Sequence, residues 1–399
     1  MSKYKEIITD GNRIYEGLMN SIDKSKWKES SQNAALSFLN LIYDIQDDLE
    51  RQQYSMSDET VFILHERGRV RRISSLQVRD RVVRHILCDD IFMPLIRNKI
   101  IYDNGASIEG RGLSFSKKRF ETHLHRYVVH NESNNGYILF GDFSKFYDNI
   151  EHVTAKQQLL DLVDDDEYIQ WLLDLIFENF EIDVTDMSSE EIDKIKHGIF
   201  NKLEYEPVSS LDATNSRSRK TIKKSINIGD QLAQLIGIYY PHRIDNYIKI
   251  VCSEKYYGRY MDDWYIINSD KEYLWDLLHD IEDIALDLGL YINRNKTRIV
   301  QLDKPFTYLQ TRYRVTSTGK IYKKINPKRI TAMRKRLKKL AIKVYNDEID
   351  YYDVENMFKS WMGSFYKIMS RDQIRNLFVL YEELFNVMIY VDEGKIVIV

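Results

Sequence analysis

The sequence predicts an α+β fold that continues into an all-helical C-terminal unit. Three observations lead there. Apolar runs of strand length alternate with amphipathic helical stretches through most of the 399 residues. From residue 327 onward only helical periodicity persists until a last short apolar run. Gly (16) and Pro (5) are too sparse for long linkers, so the chain reads as packed elements. With 43% apolar residues it can bury a sizeable core, and its length suits two or three units of roughly 150 residues.

Taken in order, residues 1–60 read as helices with polar faces, such as SSQNAALSFLNLIYDIQDDLE. VFILHERGRVRRISS reads as strand, Gly-bearing turn and strand. VRDRVVRHILCDDIFMPLI and GLSFSKKRFETHLHRYVVH have helical spacing, separated by the loop DNGASIEGRG. GYILFGDFSKFY is a strand running into a helix near Asn149, and the acidic stretch 155–195 reads as helices. SSLDATNSRSRK, 209–220, is a polar loop. IGDQLAQLIGIYYPHRIDNYIK is a long helix with a kink expected at Pro241. YYGRYMDDWYIINS is strand–turn–strand, and KEYLWDLLHDIEDIALDLG is an amphipathic helix stopped by Gly289. LYINRNKTRIV and FTYLQTRYRVTSTGKIYKK read as strands. Three helices and a short VDEGKIVIV strand close the chain.

Two cysteines, Cys88 and Cys252, exclude a disulfide framework or a zinc cluster. The polar N-terminus lacks a signal-peptide pattern and no run of 18 apolar residues occurs, so a cytoplasmic protein with no membrane contact is expected. Net charge is −3, but its distribution is uneven. Seven arginines lie between 67 and 84, and 320–343 carry eleven Lys or Arg with no acid. Acidic residues gather between 161 and 193, either as a solvated helix face or as a surface for a second copy of the chain.

Tyr260-Met261-Asp262-Asp263 stands between YYGR and WYII. Adjacent carboxylates at the tip of an apolar hairpin repel each other unless a cation sits there, the alternative being a plain turn. GYILFGDFSKFYDNIEH places Asp142 at the end of an apolar strand, where a buried carboxylate needs a partner. Two-metal phosphoryl transfer needs carboxylates from separate strands that converge on ions about 3.5–4 Å apart. Asp142 and the hairpin pair could supply that set, and oxygen ligands suit Mg²⁺.

The order of these motifs resembles that of the bacterial reverse transcriptases, the clan of group II intron, retron and abortive-infection or defence-associated enzymes. GDFSKFYDNIEH looks like motif A of that family and YGRYMDDWYII like its motif C. SINIGDQLAQLIGIYYPHRID is similar to motif B, LGLYINRNKTRIV to motif D and FTYLQTRYRV to motif E, the primer grip. RRISSLQVRDRVVRHIL with IYDNGASIEGRG resembles the fingers motifs. The resemblance runs from about 65 to 315. It implies a right-hand polymerase: an N-terminal helical extension (1–60), fingers (61–136), a palm of antiparallel sheet plus helices (137–315, with an acidic insertion at about 155–220) and a helical thumb (316–399).

The implied activity is RNA-directed DNA synthesis from dNTPs, with two Mg²⁺ ions for which Mn²⁺ can substitute. Asp142, Asp262 and Asp263 are the implied catalytic and metal-binding carboxylates, with the Phe143 carbonyl as a backbone ligand. Tyr147 falls where the family keeps a steric gate against the ribose 2′-hydroxyl, unless it is a core aromatic. Arg69 and Arg72 are the implied triphosphate contacts, guanidinium forks being suited to phosphate. Gly229 and Gln234 are placed in the nucleotide and template pocket. Lys296 is placed to protonate pyrophosphate, unless it is a surface lysine. Tyr308 and Leu309 are expected at the primer end, and Lys328, Arg329 and Arg336 on a thumb helix along the template–primer duplex, with Ile330, Met333, Leu337 and Leu340 as its buried stripe. Departures are Ile228 where Gln is frequent, Ala233 for Ser, and Gln310 for the Gly of the family's F-L-G. IGDQLAQ and the lack of a recognisable nuclease segment look most like defence-associated enzymes that work with a structured non-coding RNA. The alternatives are a retron or diversity-generating enzyme, a template-independent or protein-primed polymerase, and a catalytically silent RNA-binding protein.

Overall fold

The computed structural model describes all residues except 1, 24, 67–68, 200–207, 210–219 and 394, and leaves aside the side chains of 63, 65–66, 69–72, 194, 196–199 and 208–209. The chain forms two compact units, Met1–Arg119 with Leu139–Ile299, and Phe120–Ile138 with Val300–Val399. The mixed α+β class expected from the sequence is what the chain adopts.

The first unit opens with the helices Lys3–Ile8, Gly11–Asp23, Glu29–Leu36 and Phe38–Glu50. The last two are one periodic stretch broken at Ser37, whose hydroxyl donates back to the Asn33 carbonyl (3.0 Å) and competes with the helix ladder. Helix Gly11–Asp23 lies against Val78–His85, and a Cβ on Gly17 would stand 3.3 Å from Val82. Strands Thr60–Glu66 and Arg69–Ser75 pair antiparallel, Thr60 opposite Ser75. The expected helix over 78–96 is interrupted by a π turn, Ile86–Phe92, just before Pro94, which has no N–H to donate.

A four-stranded sheet carries the central motifs, in the order Tyr257–Tyr260, Asp263–Asn268, Tyr137–Asp142, Arg298–Gln301. Of LYINRNKTRIV only its last part is a strand; Ile292 makes a single bridge to Phe143. The long helix expected over motif B is three pieces. Gln231–Tyr239 is N-capped by Asp230 and ends before Pro241, then come His242–Asn246 and a π turn, Tyr247–Val251. The acidic stretch holds His152–Leu160, Glu167–Phe180 and Ser189–Ile199. It also holds a strand, Ile182–Asp183, pairing with Lys220–Ile222, which in turn pairs with Val208–Ser209. Two-residue strands leave too short an apolar period to read from sequence. Most of the polar loop 209–220 lies outside the described residues.

In the second unit, Phe120 packs its ring 4.5 Å from Tyr308 and 5.3 Å from Tyr313. Strands Phe306–Tyr308, Thr311–Val315 and Ile321–Ile325 form an antiparallel sheet. Helices Pro327–Tyr345, Tyr351–Phe365 and Arg371–Phe385 follow as expected, and the closing strand is a hairpin, Ile389–Asp392 with Lys395–Ile398. Met333, Leu337, Phe358, Met362, Leu377 and Tyr381 make the helical core. Among the described residues no helix is long and apolar enough to cross a membrane.

Candidate active site

Tyr260 pairs with Asp263, so Met261 and Asp262 alone make the turn. Met261 takes φ +54, a left-handed conformation that costs a side-chain-bearing residue energy. The adjacent strand approaches closely because Gly141 has no side chain. A Cβ there would lie 2.0 Å from Trp264 Cζ2, and Trp264 is 1% exposed. The indole therefore lies against the backbone just before Asp142.

Asp142 is 3% exposed at the strand end. Lys296 Nζ donates to its Oδ2 (2.5 Å) and Asn293 Nδ2 to its Oδ1 (2.9 Å). The Asn293 N–H also donates to the Asp142 carbonyl (2.8 Å), which fixes the 293–296 turn beside the carboxylate. The Phe143 N–H donates to the Asp262 carbonyl (3.3 Å), joining the strand end to the hairpin tip. The Phe143 ring points inward, against Phe146 and Trp264. Asp263 retains solvent exposure, yet desolvation, then the charges of Asp262 and Asp142, push its carboxyl up to about 7 against the pull of Lys296 and Arg298. Asp142 and Asp262 thus lie close enough for their charges to act on Asp263.

Among the described residues no three His, Cys, Asp or Glu side chains close into a preformed metal cage. Asp142, Asp262 and Asp263 offer oxygen donors only, which fit a hard divalent cation better than a soft one.

Tyr147 stands beside this cluster. Its hydroxyl donates to Met261 Sδ (3.7 Å), and a Cβ on Gly237 would come within 2.8 Å of it. Burial, then the Asp262 charge, raises the phenol to about 12, so it stays a neutral donor. Gly229 adopts φ +120, and a Cβ would lie 2.8 Å from the Ser74 carbonyl. With Gln234 and Arg84 it lines a cavity of about 930 Å³. Arg69 and Arg72 lie on the strand Arg69–Ser75, which bridges Ile228 through Ile73; their side chains lie outside the described residues.

The remaining expected contacts belong to the second unit. Tyr308 is 5% exposed and packs on Phe120. Leu309 (φ +39) and Gln310 (φ +72) form the next turn. The left-handed Gln310 is the position where the resembling family prefers Gly. Lys328 and Arg336 are exposed on helix Pro327–Tyr345, whereas Arg329 is half-buried with its guanidinium over the Phe365 ring. Met333 and Leu337 are the fully buried part of the stripe on that helix.

Sequence reading missed Asn293, the buried ion pair Arg84–Asp230 (2.9 Å) and the buried pair Arg259–Asp245 (2.7 Å). An arginine inside the apolar strand YYGRY was the one available signal, since such a charge needs a buried acid.

The sequence matches the family model described as reverse transcriptase (RNA-dependent DNA polymerase) over residues 63–313. Among solved structures it is similar to telomerase from Candida albicans in complex with a TWJ fragment of telomeric RNA. That match has 13% identity and a TM-score of 0.43, covering 84% of this chain and 60% of that one. It is also similar to apo telomerase from Candida tropicalis, at 14% identity and TM-score 0.42, covering 67% and 49%. A C-terminally truncated form of the latter gives 15% and 0.39, covering 66% and 54%. The chain thus spans half to three fifths of each of these structures. A search of curated proteins returned no match.

Proposed function

The chain belongs to the reverse transcriptase (RNA-dependent DNA polymerase) family, and from that premise we propose that it synthesises DNA on an RNA template by two-metal phosphoryl transfer. The observation that carries this is the junction of Asp142 with the Asp262–Asp263 hairpin, tied by the Phe143-to-Asp262 backbone bond. Asp142, Asp262 and Asp263, with the Phe143 carbonyl, would hold two Mg²⁺ ions. When bound, these ions activate the primer 3′-hydroxyl and neutralise charge on the triphosphate and leaving pyrophosphate.

The chain's own groups do the rest. Lys296, already at the carboxylate cluster, carries a proton for the departing pyrophosphate. Tyr147, braced by Met261 and the bare face of Gly237, blocks the space of a ribose 2′-hydroxyl. Gly229 and Gln234 border the nucleotide and template, and Arg69 and Arg72 meet the triphosphate. Residues 61–136 act as fingers, 137–315 as palm and 316–399 as thumb, after the helical extension 1–60. Tyr308 and Leu309 support the primer end. Lys328, Arg329 and Arg336 face duplex phosphates, where contact is independent of sequence.

The finer reading is a prokaryotic, cytoplasmic defence enzyme working on a structured non-coding RNA. It rests on the resemblance of the IGDQLAQ segment and the motif order. Its test is to purify the protein with co-expressed RNA, sequence that RNA and follow labelled dNTP incorporation. Synthesis that stops after RNase treatment and copies one dominant RNA supports the proposal. Synthesis that survives RNase points to untemplated polymerisation.

A further inference from the structure

Arg259 sits two residues before the turn and is 1% exposed; Asp245, from the broken motif-B helix, is fully buried. The guanidinium uses all five of its N–H groups. Nε donates to Asp245 Oδ1 (2.9 Å) and Oδ2 (3.1 Å), and Nη2 to Oδ2 (2.7 Å). Nη2 also donates to the Ile238 carbonyl (2.6 Å), and Nη1 to those of Gly237 (3.3 Å) and Met261 (3.2 Å). Tyr257 Oη donates to Asp245 from the same strand (2.5 Å). The backbone of Arg259 bonds Asp103 and Gly105 on its open edge.

One side chain therefore grips three things: the turn that carries Asp262, the end of helix Gln231–Tyr239, and the Gly237 backbone on which the Tyr147 hydroxyl rests. With no N–H left over, Arg259 cannot touch substrate. Stability alone is a weak reason for such a pair, because apolar replacement of a buried ion pair is often neutral.

We propose that Arg259 and Asp245 are positioning residues that lock the Met261–Asp262 turn and the Gly237 platform under Tyr147 into one register. Catalytic rate and sugar selection are then set together. This rests on the roles assigned above to Asp262 and Tyr147.

The test compares wild type with the double variant Arg259→Met/Asp245→Leu and with Arg259→Lys. Each is assayed for dTTP and UTP incorporation on poly(rA)/oligo(dT), with melting temperature and hydrogen exchange of the hairpin amides measured in parallel. In the double variant we expect a folded protein with a lower melting temperature, because the Gly237, Ile238 and Met261 carbonyls and the Tyr257 hydroxyl lose their partners. Its kcat should fall about a hundredfold, as for small misplacement of reacting groups, and its UTP-to-dTTP ratio should rise about tenfold. Hairpin exchange should be faster. Arg259→Lys, which keeps the charge but not the fork, should not restore either readout.

A folded double variant with wild-type rate and ratio overturns the proposal, as does full function in Arg259→Lys. If the double variant does not fold, Arg259→Lys decides alone. Wild type that incorporates nothing, or Asp262→Ala that keeps activity, counts against the site reading instead. Hairpin exchange then decides the present proposal, which unchanged protection would overturn.

Discussion

At the scale of single residues, the site depends on close approaches that tolerate no added atoms. Gly141 is the sharpest case. The Trp264 indole occupies the space of its missing side chain, so Gly141→Ala must push the indole or the strand that ends in Asp142. Overpacking of this kind costs about 1–3 kcal/mol. Urea unfolding should show a loss of that size, with activity falling further than stability because Asp142 moves. His152 makes a second, pH-dependent prediction. Its Nε2–H donates to the Ser225 carbonyl (2.6 Å), and its ring meets Phe177 and Phe180. Burial lowers its pKa to about 4. The unfolded chain takes up this proton near pH 6.5, so between 6.5 and 4 the unfolded state binds more protons and stability falls as pH drops. Above 6.5 both states are neutral and the effect vanishes. From pH 7.5 to 5.0 wild type should lose roughly 2 kcal/mol more than His152→Gln, measured by denaturant unfolding at each pH.

At the scale of elements, helix Pro327–Tyr345 sets a buried apolar face against an exposed basic one. Met333 and Leu337 are buried while Lys328 and Arg336 are exposed. If the exposed face meets duplex phosphates, Lys328→Gln and Arg336→Gln should each weaken template–primer binding equally across sequences and lower the slope of log K against log salt by about 1. Arg329, stacked over Phe365, should instead show part of its effect as lost stability. The elements also mark what the sequence could reveal. The Tyr260–Asp263 hairpin was legible because a two-residue turn between alternating strands has a local signature. So was the C-terminal helical run. The π turns at Ile86–Phe92 and Tyr247–Val251 were not, since a widened turn leaves helical periodicity nearly intact; only Pro94 and Pro241 hinted at breaks. The strand Ile182–Asp183 escaped because its pairing with Thr221 and Ile222 joins residues about forty positions apart.

At the scale of the molecule, the candidate site was legible as a list of residues but not as an arrangement. Asp142 and Asp262 could be named because each sits in its own local motif. Their tie through Phe143 and the Asn293 and Lys296 bonds to Asp142 are long-range contacts with no local signature, and Arg259 inside an apolar strand signals a buried acid without saying that it is Asp245. The central claim is that carboxylates gathered at Asp142, Asp262 and Asp263 drive RNA-templated DNA synthesis. Its most direct measurement is labelled dNTP incorporation on a primed RNA template in Mg²⁺, comparing wild type with folded Asp262→Ala. The account predicts template-dependent synthesis by wild type and a loss of at least about a thousandfold in the variant. Equal synthesis by both proteins would contradict it, as would template binding by wild type with no synthesis under any primer.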